Sequence, residues 1–146
     1  MKSLVTIVAT IGAVAASVFA LGSFASRAFG NSARQSSQQA TIEHGRYIVH
    51  QVGMCIDCHS PRDKSGKFLE GKHLTGSPLH FAPIVAPKIA GLPAGFTAED
   101  TVHFLMTGQR PNGRPAPLPP MPPYRMNRAD AEAVTAYLRS LAPANS

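Results

Sequence analysis

Cys55–Ile56–Asp57–Cys58–His59 is the stretch on which the reading of this chain turns. It holds the only 2 cysteines of the sequence, three positions apart, which excludes a disulfide framework of the small secreted kind. On one helical turn the two thiols share a face, so they can bond to neighbouring edges of a flat macrocycle. The histidine that follows is then held beneath the ring centre, where an imidazole nitrogen can bind iron axially. The spacing C-x-x-C-H is that of covalent c-type haem attachment. Three other uses fit less well. A zinc site needs four ligands, and only His73 or His80 offers to complete one. A thioredoxin-like pair requires a preceding strand and a βαβ surround, which the flanking pattern lacks. A structural disulfide at this spacing is strained and leaves His59 unexplained.

Working outward, a helix is expected over about Ile42 to Met54, with Ile48, Val49 and Val52 on one face, leading directly into Cys55. A second is expected over about Ala98 to Thr107. Thr97 and Asp100 resemble a capping box, Val102, Leu105 and Met106 form an apolar face, and Gly108 stops it. A third covers about Arg128 to Leu141, with Asn127 as N-cap and Val134, Tyr137, Leu138 and Leu141 at helical spacing. Between them lie two long loops, Ser60 to Gly95 and the proline-rich Gln109 to Tyr124. Structureless loops of that length are unusual in a small domain, and they make sense wrapped around a bound cofactor.

The opposite iron face should meet a residue from late in the chain. Met121 is the leading candidate, because Pro119–Pro120–Met121–Pro122–Pro123 fixes the backbone on both sides of it. A thioether ligand raises the reduction potential of a haem iron. Met126 is the alternative, although its place before Asn127 also suits packing at the helix start. Bis-histidine ligation through His73, His80 or His103 stays open as well.

Residues 1–28 read as an export segment. Lys2 supplies the positive start, Leu4 to Phe24 is a nearly uncharged apolar run, and small residues such as Ala25 and Ala28 follow. The run suits a cleaved signal peptide or an N-terminal membrane anchor. Either places the domain outside the cytoplasm, periplasmic or otherwise exported. Residues 29–41 are polar and read as a flexible linker, leaving 42–146 as the domain. The formal net charge is +6, but Lys and Arg are scattered and never form a run, which argues against nucleic acid. An acidic redox protein or a membrane-bound partner suits that charge better, and an uncleaved N-terminus would add membrane contact. Ser, His and carboxylates form no nucleophilic or acid–base cluster, so no enzymatic turnover is expected.

These features together resemble a class I c-type cytochrome, over about Glu43 to Leu141. Gly45–Arg46–Tyr47–Ile48–Val49 resembles that family's N-terminal helix, and Cys55 to His59 its attachment site. Ala86–Pro87–Lys88–Ile89–Ala90–Gly91–Leu92 is similar to its proline turn. Pro120–Met121–Pro122–Pro123–Tyr124 with Asp130 to Leu138 looks like its axial-methionine loop and last helix. The resemblance implies an all-α cytochrome c fold, with three main helices and long Pro/Gly-rich loops around one covalent haem c. It implies axial ligation of iron by His59 and Met121, and a carbonyl of Pro87 that holds the other ring nitrogen of His59. It further implies that the first and last helices cross near Gly45 and Tyr137. The expected role is single-electron transfer between exported or membrane-bound partners. The alternatives are an electron-transfer subunit of a dehydrogenase or oxidase complex, or an open-site haem enzyme or gas sensor. Ser60 to Ala86 is longer than compact family members need and reads as an insertion. Its Lys64, Lys67 and Lys72 read as a solvated surface more readily than as a docking face near the haem.

Overall fold

The computed structural model describes residues 32–117 and 119–141. The chain divides into two units, Met1–Gln39 and Ala40–Ser146. The expected leader, residues 1–28, lies outside the described residues. Among the described ones no helix is long and apolar enough to cross a membrane. Residues 32–39 are helical and exposed rather than a flexible coil. Ala33, Arg34, Gln35, Gln38 and Gln39 are good helix formers, and no Gly or Pro interrupts them. Their polarity signals exposure, not the absence of a helix.

In the second unit, helix α1 covers residues 40–52, and its last five, Ile48–Val52, widen into a π turn. The amide of Gly53 closes that turn on the carbonyl of Ile48 at 2.7 Å. The widening rotates Val52 out of the face formed by Ile48 and Val49, so Val52 is 60% exposed and not a core residue. Met54, expected inside the helix, takes a left-handed conformation (φ 50°) and breaks it before α2, Cys55–His59.

Helix α3 is Ala98–Thr107. Thr97 Oγ1 accepts from the Asp100 amide at 3.1 Å, and Asp100 accepts in return from the Thr97 amide at 2.9 Å. Gly108 ends the helix at φ 77°, a conformation open to glycine at no steric cost. Helix α4 is Arg128–Ser140, with the Asn127 side chain accepting from the Asp130 amide at 2.9 Å. Leu141 falls just beyond it and is half-exposed. Ala131, Val134, Tyr137 and Leu138 form its buried stripe and meet Val102 and Leu105 of α3. Strands β1 (Ser77–Pro78) and β2 (Val85–Ala86) form a small antiparallel hairpin within the first long loop, pairing Ser77 with Ala86. The fold is all-α, as expected.

Helix α1 crosses α4 at Gly45. A Cβ on Gly45 would lie 1.9 Å from the carbonyl oxygen of Ala133 and 2.9 Å from Tyr137 Cβ, so only a glycine permits this approach. The insertion contributes to the core. Leu74 is fully buried although its backbone is left-handed (φ 60°). Its amide donates to Ser60 Oγ at 2.9 Å, and its carbonyl accepts from the amides of Ile89 and Ala90. Arg62 ties together the first part of the segment. It donates to Asp57 at 2.9 Å and to Gly66 O, while its guanidinium sits 3.6 Å above the Phe68 ring.

His50 on α1 shares a 2.8 Å hydrogen bond with the Tyr137 hydroxyl. The ring of His73 lies against it, and Phe68 packs edge-on to His73. Burial, then the charges of His73 and Arg46, pull the His50 pKa below its usual 6.5. Folding therefore favours neutral His50. Its contribution is complete above about pH 6.5 and is lost as pH falls through the lower folded-state value. Thermal melts between about pH 7.5 and pH 5 should show stability falling. His50→Gln, which keeps a partner for Tyr137, should flatten that slope. An unchanged slope would place the acid sensitivity elsewhere.

Candidate haem-attachment site

Helix α2 is a single turn, and it sets Cys55 and Cys58 one turn apart with His59 at its end. Both thiols are free and half-buried. Burial raises the pKa of the Cys55 thiol, against the opposing pull of the nearby Tyr124 hydroxyl. The His59 side chain is nearly enclosed, with the residue 5% exposed. Its Nδ1 lies 2.7 Å from the carbonyl oxygen of Pro87. A carbonyl only accepts, so Nδ1 carries the proton and Nε2 keeps its lone pair. Burial lowers the His59 pKa, which holds the ring in the neutral form a metal needs. The backbone secures the same residue, with the Gly76 amide donating to His59 O at 2.8 Å. The stretch around Pro87 and the start of the hairpin thus both attach to the histidine.

Met121 is half-buried in the proline loop between α3 and α4. Three residues later the Tyr124 hydroxyl donates to the carbonyl of Gly53, which brings this loop to the turn that delivers Cys55. The other candidate ligands have different partners. Met126 packs against the core, and its amide donates to Leu105 O at 3.1 Å. His73 packs on Phe68 and His50, and His103 faces Gln109 at 3.3 Å. His80 lines a surface cleft with Asp57, Arg62 and Phe81. Among the described residues no three His, Cys, Asp or Glu side chains are grouped to hold a metal ion.

The donor set fits covalent haem. It offers two unpaired thiols one turn apart, a buried neutral imidazole with a free lone pair, and a second carbonyl-anchored turn behind it. The family model for cytochrome c matches residues 42–142. The chain belongs to the cytochrome c family. That membership makes it a class I c-type cytochrome, whose domain carries covalent haem c and transfers electrons through it. A curated protein of Cereibacter sphaeroides, described as "Diheme cytochrome c-type", is 31% identical over 70 residues. The match covers 48% of this chain and 24% of that protein, so this cytochrome c spans about a quarter of the relative's length.

Two features of the site were not anticipated from the sequence. One is the Tyr124 hydroxyl, foreshadowed only by an aromatic residue closing the proline run. The other is Arg62, which holds Asp57 between the two cysteines from within the insertion.

Proposed function

We propose that this cytochrome c is a monohaem electron carrier, with haem joined to Cys55 and Cys58 and its iron ligated by His59 and Met121. The observation that carries the reading is the 2.7 Å contact from His59 Nδ1 to Pro87 O, which leaves Nε2 as the ligand nitrogen. Haem supplies one-electron Fe(II)/Fe(III) cycling. The chain contributes the rest. Pro87 fixes the tautomer and aim of His59 and raises its basicity. Prolines on both sides of Met121 restrict its directions. Tyr124 ties the second loop to the turn that delivers Cys55. A single Cys55–Cys58–His59 motif supports one haem per chain.

The same reading places the domain outside the cytoplasm, delivered by residues 1–28 as a signal peptide or anchor. Its partners are exported or membrane-bound redox proteins, and acidic ones suit the +6 charge. It performs electron transfer without substrate turnover of its own. A second reading, an electron-transfer subunit of a larger oxidoreductase complex, is favoured by the match to one quarter of a longer dihaem protein. Purification from native membranes separates the two: a stoichiometric complex supports the subunit, a free monomeric cytochrome the carrier.

The test of the ligand set is an absorption spectrum, oxidised, reduced and then with carbon monoxide. A six-coordinate low-spin spectrum with a methionine-to-iron band, unmoved by carbon monoxide, is expected. A shift with carbon monoxide would indicate an open-site enzyme or sensor instead. Met121→Ala should keep the haem attached yet lower the potential, on a scale where axial ligands span roughly 0.8 V. A native potential in that variant would exclude Met121 as ligand.

A further inference from the structure

Four of the five residues in Pro119–Pro120–Met121–Pro122–Pro123 have no backbone N–H. This stretch therefore has only the Met121 amide with which to fasten itself. Its nearest anchors lie just C-terminal to it. The Met126 amide donates to Leu105 O at 3.1 Å, and Arg125 Nη1 donates to Thr107 O at 3.2 Å. Both tie the chain to α3. Among the described hydrogen bonds, only that of Tyr124 joins this loop to the attachment turn, through the carbonyl of Gly53. The contact is close-packed, since a Cβ on Gly53 would lie 3.4 Å from Cys55 Sγ and 3.6 Å from the Tyr124 hydroxyl.

We infer that Tyr124 is a positioning residue for the sixth iron ligand, a latch that holds Met121 toward the haem by pinning its loop to the Gly53–Cys55 turn. This rests on the ligand set proposed above. Between the latch and the ligand stand Pro122 and Pro123, whose φ angles are fixed. Fixing Tyr124 therefore fixes the direction of Met121 with few free torsions between them. Without the hydroxyl the aromatic ring still packs against the core beside Met126, so the fold survives while the loop swings more freely away from α2.

The experiment is titration of the oxidised holoprotein with imidazole, followed by loss of the methionine-to-iron band. Imidazole must displace Met121, so its apparent affinity reports how often the loop opens. Tyr124→Phe should bind imidazole roughly fivefold to tenfold more tightly than wild type, the effect of losing one hydrogen bond. Thr97→Ala serves as a comparison, because it removes the α3 cap far from the loop's hydroxyl contact. Equal affinity in Tyr124→Phe and wild type would overturn the latch, as would an equal gain in Thr97→Ala. Met121→Ala separates this from failure of the ligand assignment. If wild type takes imidazole as readily as Met121→Ala, then Met121 is not the ligand and the latch has nothing to hold. If Met121→Ala binds far more tightly while Tyr124→Phe matches wild type, the ligand stands and the latch alone falls.

Discussion

Changing Cys55 and Cys58 together to alanine is expected to abolish covalent haem and, with it, the cooperative unfolding of the domain. The protein's own core is thin. Its largest fully buried side chains are Leu74, Val49 and Val134, while two long segments carry almost no regular structure. Ordering backbone costs about 1–2 kcal/mol per residue, and a domain near a hundred residues buries too little surface to offset that with ease. Haem is the missing apolar body, and the thioethers keep it in place when the loops open. The variant should lose haem on a denaturing gel and melt without a sharp transition by circular dichroism. Haem that survives denaturation, or a melt like that of wild type, would refute the attachment assignment.

Gly45→Ala is the second large effect, and here two principles predict opposite signs. Gly45 lies inside α1, where alanine is ordinarily favoured by about 1 kcal/mol. Yet the added Cβ would sit 1.9 Å from the Ala133 carbonyl oxygen. That neighbour is helix backbone, which cannot yield without breaking the ladder of α4. Separating the helices also strips cover from Ile48, Val134 and Tyr137. Overpacking of this kind costs about 3 kcal/mol. For a domain of this size that corresponds to a fall in melting temperature of roughly 15 °C. A variant as stable as wild type would mean that the crossing is looser than its geometry indicates.

The parts of this fold that were legible in the sequence are those decided by near neighbours. The bounds of α3 follow from Thr97 and Asp100 at one end and Gly108 at the other, which satisfy the helix's own amides and carbonyls. Asn127 does the same for α4. The glycine at the helix crossing was expected from family resemblance, and the Gly45–Ala133 approach is present. The end of α1 was not legible. Val52 continues the apolar spacing, while the π turn that expels it depends on the Gly53 amide and the left-handed Met54. Leu74 was missed for a different reason. Nothing periodic surrounds it, and its burial depends on Ser60, Ile89 and Ala90, each distant in the chain. At the site, the cysteine spacing announces the chemistry by itself. The Pro87 contact to His59 needed family resemblance, and the Tyr124 bond to Gly53 needed the fold, because no local pattern links residues 71 positions apart.

The proline run has one more consequence, for anyone who wishes to watch this protein move. Deuterium labelling sees only amide hydrogens, and between Pro119 and Pro123 Met121 carries the single one. Trypsin has little to cut inside the run, because Arg110 and Arg114 are each followed by proline, and the first ordinary site beyond it is Arg125–Met126. The segment that carries the proposed ligand is therefore nearly silent to exchange. Its excursions should register instead at the Met126 amide, which exchanges when the bond to Leu105 lets go.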